Sequence, residues 1–148
     1  MKQASSEKFY DFVLEESRDD SSPMDCLIIC EEVFGMSKVS FLGAGSWGTA
    51  LAVMLAKNGH EVTIWSAISS EIDMLEENRE HKHRLPGVKL PSSIRLTRDL
   101  EKACTGFELI VFSVASPFVR ETAKKACGQI APGQCIVNVA KVIENDTL

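Results

Sequence analysis

One short glycine-rich segment constrains the fold of this chain more than any other feature of its sequence. Gly43, Gly45 and Gly48 form a GxGxxG pattern that directly follows the apolar run Val39–Leu42 and opens the helix-like run Trp47–Asn58. The first glycine permits a tight turn, the second lets a pyrophosphate approach the backbone, and the third lets the helix pack closely on the strand. N–H groups at the start of the helix, together with its dipole, attract phosphate. The strand, turn and helix therefore predict a dinucleotide-binding site.

Short β-rich runs alternate with helix-like runs from Lys38 onward, which is typical of a parallel sheet with crossover helices. We predict an α/β fold of the Rossmann type, with a doubly wound, mainly parallel sheet. The predicted strands are Val39–Leu42, Val62–Trp65, Ile94–Leu96, Leu109–Val114 and Cys135–Val139. The predicted helices are Trp47–Asn58, Ser70–Asn78, Arg98–Cys104 and Pro117–Ile130. The segment Glu80–Ser93 carries two prolines and a glycine and is predicted to be a surface loop.

Charge is distributed unevenly along the 148 residues, whose net charge is −5. Residues 1–37 hold three basic and nine acidic side chains, whereas residues 38–148 hold thirteen basic and twelve acidic ones. We interpret residues 1–37 as an acidic extension, disordered, irregular or partly helical, that is either a solvated tail or a docking arm. We interpret residues 38–148 as the dinucleotide-binding domain, and their near-neutral charge argues against a nucleic-acid surface.

Other features of the sequence narrow the function class. No apolar run reaches the ~18–20 residues of a membrane span, and the N-terminus lacks the apolar stretch of a signal peptide, so we expect a cytoplasmic protein. The five cysteines form no CxxC pair and are predicted to be reduced, with Cys104, Cys127 and Cys135 in the core. His81 and His83 lack a third ligand in the sequence, and no metal site is predicted.

The end of the second predicted strand leaves the choice of cofactor open. Dinucleotide-binding folds commonly place an acidic side chain there, about 20 residues after the glycines, to bind the ribose 2′-hydroxyl of NAD. Here Trp65 is followed by Ser66 and Ala67, with no acid before Glu71 and no arginine to hold the 2′-phosphate of NADP. The serines that follow the strand are typical of helix caps. The residues therefore predict NAD or NADP without choosing between them.

Three further motifs occur in order along the chain. The first is GAGSWGTALA from Gly43 to Ala52, in which Ser46 and Trp47 are more specific than the glycines. The second is Asn78 followed by Leu85-Pro86-Gly87 and Leu90-Pro91. The third is Val139-Ala140-Lys141-Val142-Ile143-Glu144, at and after the fifth predicted strand. Together they resemble the N-terminal domain of the NAD(P)-dependent glycerol-3-phosphate dehydrogenases, over residues 38–148 and no part of residues 1–37.

The resemblance implies an enzyme that interconverts dihydroxyacetone phosphate and sn-glycerol 3-phosphate by hydride transfer with NAD or NADP, for glycerophospholipid synthesis. Carried over by position, Gly43, Gly45, Ser46, Trp47 and Gly48 would hold the cofactor. Phe118 would lie near the nicotinamide, and Lys141 would contact both cofactor and substrate. The family's general-base lysine belongs to a second, helical domain, so no catalytic residue is expected in this chain, which we expect to be inactive alone. The resemblance also implies a homodimer.

The sequence departs from the family pattern at three positions. Val142 stands where the family has a glycine, Arg84 where it usually has tyrosine, and Ala115 where it usually has proline. A β-branched residue does not readily take the positive φ that glycine allows, which would shift the turn that holds Lys141. Two alternatives stay open: another enzyme with a β-hydroxyacid dehydrogenase-like N-terminal domain, such as a ketopantoate reductase, and a stand-alone nucleotide-binding module. Ser46, Trp47 and the two leucine-proline steps argue against the first.

Overall fold

The computed structural model describes residues 36–140, which form a parallel sheet with helices between successive strands. The strands are β1 (Lys38–Leu42), β2 (Glu61–Trp65), β3 (Arg95–Thr97), β4 (Leu109–Phe112) and β5 (Cys135–Asn138). The helices are α1 (Ser46–Lys57), α2 (Ser69–Asn78), α3 (Leu100–Cys104) and α4 (Ser116–Ala126). The predicted extension over residues 1–37 lies almost entirely outside the described residues.

Strand order explains where a ligand can bind. The sheet runs β3-β2-β1-β4-β5, and all four strand pairings are parallel. The chain adds β2 and β3 on one side of β1 and then returns to add β4 and β5 on the other side. The topological switch therefore lies between β1 and β4, and the crevice outside the carboxyl ends of these strands is the usual ligand site in such sheets. The predicted Rossmann-type fold class is confirmed.

The core is centred on β1, which is covered on both faces. Its four residues from Val39 to Leu42 are buried, as expected for the central strand of a parallel sheet with helices on both sides. Leu42 packs in one cluster with Trp65 and Phe112, from the strands on either side. β5 differs, because Cys135, Ile136 and Asn138 are exposed. The carboxyl end of β1, where the glycine segment begins, thus rests on the best-packed part of the sheet.

The observed bounds differ from the predicted ones by a few residues, for local reasons. β4 ends at Phe112 rather than Val114, because Ser113 turns toward the glycine segment. α3 begins at Leu100 rather than Arg98, because the Asp99 side chain caps it. This carboxylate accepts hydrogen bonds from the N–H groups of Glu101 and Lys102. α4 ends at Ala126 rather than Ile130, since the chain then tightens into a turn whose Gln129 N–H donates to the Ala126 carbonyl over 2.9 Å.

Two predictions about exposure were wrong. The segment 80–93 is not wholly a surface loop, because His81 and Leu90 are buried. An isolated bridge between Glu80 and Lys89 folds the segment back on itself, and the αL residue Arg79 then donates to the Ile94 carbonyl over 3.1 Å.

The second wrong prediction concerns the burial of two cysteines. Cys104 is buried as predicted, but Cys127 and Cys135 are exposed. Cys127 follows the last turn of α4, and Cys135 lies on the edge strand β5. Both side chains are therefore exposed, although each residue lies within an apolar run of the sequence.

Candidate functional site

Gly43 directly follows β1 and is hydrogen-bonded to the end of β2. Its N–H donates to the Trp65 carbonyl over 2.8 Å, and its φ is +128°, a value that side chains disfavour. A Cβ atom at this position would lie 2.6 Å from the Val114 nitrogen, so the backbone after β4 occupies the space that a side chain would need. Gly43 therefore serves the tight turn that its sequence position predicts.

Gly48 has a different neighbour from the one expected. A Cβ atom there would lie 2.4 Å from Ser113 Oγ, 2.7 Å from Ser113 Cβ and 3.0 Å from the Gly43 carbonyl oxygen. The third glycine of the motif thus lets α1 pack against the residue that follows β4, as well as against the end of β1. The close packing predicted for this position is present, with Ser113 as its main partner.

Ser113 is a residue that the sequence analysis missed. Its hydroxyl donates to the Gly43 carbonyl over 2.9 Å, and its N–H donates to the Leu42 carbonyl over 2.9 Å. One side chain therefore fixes the turn between β1 and α1 from the neighbouring strand. The available signal was its position, because a residue directly after the strand that pairs with β1 lies at the topological switch point of a doubly wound sheet.

Gly45 is open where the other two glycines are crowded. Among the residues that the structure describes, the only atom within 4 Å of a Cβ built there is the Ser113 carbonyl oxygen, at 3.8 Å. Gly45 is also the N-cap residue of α1, so it offers no side-chain acceptor to the N–H groups of the first turn, which carries no acidic residue. An open backbone at the positive end of a twelve-residue helix fits the pyrophosphate of a dinucleotide.

Large apolar side chains are exposed at three helix beginnings along the same edge of the sheet. Trp47 lies in the first turn of α1, Ile68 directly precedes α2, and Phe118 lies in the first turn of α4, with exposed fractions of 43%, 52% and 58%. Helices that follow parallel strands begin at the carboxyl edge of the sheet, so these three residues share the edge that holds the glycine turn. Exposed aromatic and aliphatic groups of this kind suit the rings of a bound dinucleotide.

The predicted site residues fall into two groups. Gly43, Gly45, Gly48, Ser46 and Trp47 lie together at the β1–α1 turn, and Ser46 and Trp47 are exposed there. Phe118 lies at the beginning of α4 on the same edge. Lys141, together with Val142 and Glu144 of the third motif, lies outside the described residues, three positions and more beyond the end of β5.

An acidic side chain, Glu71, does lie at the carboxyl end of β2, although none directly follows the strand in the sequence. Ser66 directly follows β2 and is buried, and its Oγ donates to Glu71 Oε2 over 2.7 Å. The same Oγ accepts from the Ile68 N–H over 3.1 Å, before the helix begins. Ile68 is the N-cap of α2 and no side chain caps this helix, so the capping role suggested for the serines is not observed. Glu71 Oε1 lies 3.0 Å from Arg84 Nη1. Glu71 was not predicted as a site residue because it lies six residues beyond Trp65 in the sequence, but α2 turns back and returns its carboxylate to the strand end.

His81 supports the residue that pairs with Glu71. It is buried, and both its Nδ1 and its carbonyl oxygen accept from the Arg84 N–H over 3.3 Å. Burial, and secondarily the charge of Arg84, lowers the pKa of His81, which favours the neutral ring, the form in which Nδ1 can accept. Within residues 36–140 no group of three metal-ligating side chains comes together, and no helix is long and apolar enough to cross a membrane.

A family model described as the NAD-dependent glycerol-3-phosphate dehydrogenase N-terminus matches residues 38–148. Among curated proteins, the chain is 53% identical over 113 residues to a glycerol-3-phosphate dehydrogenase [NAD(P)+] of Agathobacter rectalis, covering 76% of this chain and 34% of that protein. It is 50% identical over 113 residues to a second enzyme of that name from Lactobacillus delbrueckii, covering 76% of this chain and 33% of that protein.

The solved structures agree with the sequence relatives. A glycerol-3-phosphate dehydrogenase from Coxiella burnetii matches with a TM-score of 0.66 and 30% identity, over 72% of this chain and 34% of that chain. The chain thus spans about a third of the length of the relatives that it matches. These findings do not favour the alternative of another β-hydroxyacid dehydrogenase.

Proposed function

This chain belongs to the family of NAD-dependent glycerol-3-phosphate dehydrogenases, whose N-terminal domain matches residues 38–148, and from that premise we propose that these residues bind NAD or NADP. The observation that carries the proposal is the contrast among the three glycines. Gly43 and Gly48 are packed against the chain that follows β4, whereas Gly45 is open at the beginning of α1. The open position lies at the N-terminus of a helix, where a phosphate can approach the backbone N–H groups.

The phosphates are held by backbone rather than by charged side chains. The first-turn N–H groups of α1 point along the helix axis toward the open space at Gly45, and the helix dipole adds a partial positive charge there. Ser46 and Trp47 are exposed in that first turn, so they border the same space. We propose that five residues of this segment contact the cofactor: Gly43, Gly45, Ser46, Trp47 and Gly48.

The nicotinamide end lies on the other side of β1, toward β4. When bound there, the nicotinamide supplies the hydride that such an enzyme transfers. Phe118, at the beginning of the helix that follows β4, offers an exposed aromatic face on this side. Lys141 follows β5 in the sequence, and a cationic amine near the carboxyl end of a parallel strand can attract a phosphate or polarise a carbonyl. We propose Phe118 as a nicotinamide contact and Lys141 as a contact of both cofactor and substrate.

The interconversion of dihydroxyacetone phosphate and sn-glycerol 3-phosphate is proposed for the whole enzyme of which residues 38–148 are the cofactor-binding part. The support is the shared family and the identity of about half to enzymes named for this reaction. The division into an extension over residues 1–37 and a domain over residues 38–148 is likewise a proposal. The homodimer and the cytoplasmic location stay predictions.

Cofactor binding is tested by titrating the purified chain with NADH and with NADPH and following cofactor fluorescence. We expect saturable binding that is lost in Gly45→Val, because the added side chain fills the space at the helix beginning. Gly128→Val is the matched control, since Gly128 is exposed, has no atom within 4 Å of a built Cβ and has no positive φ. Equal binding by both variants, or no binding by the unaltered chain, would contradict the proposal.

A further inference from the structure

NAD and NADP differ only in one substituent of the adenosine ribose, a 2′-hydroxyl in one and a 2′-phosphate in the other. A carboxylate accepts a hydrogen bond from a hydroxyl and repels a phosphate, whereas a guanidinium attracts a phosphate. In this chain Glu71 accepts a hydrogen bond from Ser66, the residue that follows β2, and Arg84 pairs with Glu71. The chemistry that separates the two cofactors is therefore present where the ribose of a dinucleotide binds in such folds.

The carboxylate of Glu71 is linked to the glycine turn by a short chain of hydrogen bonds. Gly43 N–H donates to the Trp65 carbonyl over 2.8 Å, which joins the turn to the last residue of β2. Ser66 is the next residue, and its Oγ donates to Glu71 Oε2 over 2.7 Å. A cofactor with its pyrophosphate on the turn and its adenosine directed toward β2 therefore meets this carboxylate at the strand end.

We propose, on the premise that the glycine turn binds the cofactor, that Glu71 is the residue that selects NAD over NADP. A carboxylate has about four acceptor positions, of which Ser66 and Arg84 each use one. The remaining capacity accepts a hydrogen bond from the ribose 2′-hydroxyl. A 2′-phosphate in the same place meets a negative charge that Ser66 holds in position, and its affinity falls.

Arg84 does not reverse this preference, because its charge is already engaged. Its Nη1 lies 3.0 Å from Glu71 Oε1, and its side chain is 54% exposed against 13% for Glu71. The acid is thus the more buried member of the pair, and the arginine is the more exposed one. The family that the sequence resembles usually has tyrosine at position 84, so the pairing of Arg84 with Glu71 is a feature of this chain.

The same contacts also stabilise the beginning of α2, and this structural role must be separated from selectivity. Ser66 accepts from the Ile68 N–H, and Glu71 lies in the first turn of the helix. Loss of a purely structural contact weakens NADH and NADPH binding by the same factor. Loss of a selecting carboxylate changes the ratio of the two dissociation constants, and that ratio is the quantity to measure.

The test uses direct titrations of the full chain with NADH and with NADPH, for the unaltered protein and for Glu71→Gln. The glutamine keeps an oxygen that accepts from Ser66, removes the negative charge and releases Arg84. We expect the unaltered chain to bind NADH more tightly than NADPH. In the variant, the ratio of the two dissociation constants should change by about tenfold or more in favour of NADPH, the effect of losing one hydrogen bond to a charged group. Asp73→Asn is the matched control, because it removes a carboxylate of the same helix that pairs with Arg98 instead.

A second variant keeps the test decisive if Glu71→Gln folds poorly. Arg84→Ala removes a half-exposed side chain and leaves the Glu71 charge without its partner, so the preference for NADH should increase. An unaltered chain that prefers NADPH would overturn the inference, as would ratios that neither variant changes, and both results leave cofactor binding intact. A chain that binds neither cofactor would instead overturn the proposed function, and this inference with it.

Discussion

The two ends of the proposed cofactor site are built by different means. At the phosphate end, the surface is backbone: an open glycine at the beginning of α1, with Gly43 and Gly48 pressed against Ser113. At the ribose end, the surface is made of side chains from separate parts of the sequence, Ser66, Glu71 and Arg84. The first end can serve any pyrophosphate, because its contacts do not depend on what the phosphates carry. The second end can distinguish cofactors.

This difference predicts how each end responds to substitution. Changes at the phosphate end should alter stability or abolish binding of both cofactors together, because the turn is packed and shared. Changes at the ribose end should have small effects on stability and should alter the preference for one cofactor. Substitutions at each end therefore test whether phosphate binding and cofactor preference depend on separate residues.

The largest effect is expected for Gly48→Ala. The new Cβ would lie 2.4 Å from Ser113 Oγ, so the helix and the chain after β4 must move apart, and overpacking of this kind costs about 1–3 kcal/mol. Urea unfolding measures the loss. Adding Ser113→Gly to the same chain removes the two nearest atoms and should restore part of the stability. If Gly48→Ala is as stable as the unaltered chain, the turn is not packed as described.

A smaller loss, about 1 kcal/mol, is expected for Ser113→Ala, which removes a hydrogen bond to the Gly43 carbonyl but keeps the Cβ that shapes the turn. NADH and NADPH affinities should fall by the same factor, because Ser113 acts on the shared phosphate end. The check is thermal unfolding together with the two titrations. A change in the NADH-to-NADPH ratio would contradict the division between the two ends.

Ser66→Ala should cost about 0.5–1 kcal/mol, since it removes one donor to Glu71 and one acceptor for the Ile68 N–H. Its main effect should appear in cofactor preference, because the carboxylate is then held by Arg84 alone. Ser66→Thr keeps the hydroxyl and serves as the control. The idea fails if alanine and threonine give the same NADH-to-NADPH ratio.

The smallest effect concerns pH. Burial lowers the pKa of His81 from its ordinary value of 6.5, so the unfolded chain binds a proton at a higher pH than the folded one. The free energy of unfolding should therefore be fully maintained above that value and should fall as the pH drops from there toward the lowered pKa. Urea unfolding between neutral and mildly acidic pH measures this dependence. His81→Gln should flatten it, whereas the same change at exposed His83 should not.

The phosphate end was predictable from the sequence, and the ribose end was not. The glycine spacing between an apolar strand and an apolar helix identified the turn, because backbone contacts of this kind depend on local sequence. Glu71 was set aside because it lies several residues beyond β2, and only the turn into α2 returns its carboxylate to the strand end. Ser113 was missed since its partners lie 70 residues away along the chain.

The same reasoning explains which elements were predicted well. Strands and helices of the buried sheet have strong patterns, so the fold class followed from the alternation of apolar runs. His81 and Cys135 were misplaced because burial depends on what covers a segment, and sequence pattern does not contain that information. His81 is buried in a segment that looks like a loop, and Cys135 is exposed in a strand that looks like core.

The hydrogen bond from Ser113 to the Gly43 carbonyl, together with the bond from Gly43 to Trp65, fixes the β1–α1 turn by contacts within the protein itself. The turn is thus preorganised, and a pyrophosphate that arrives there orders little of the backbone as it binds. Binding at this end should then lose little conformational entropy, in contrast to a loop that folds around its ligand. The association rate of NADH should accordingly be governed by diffusion and orientation rather than by a slow change of the turn.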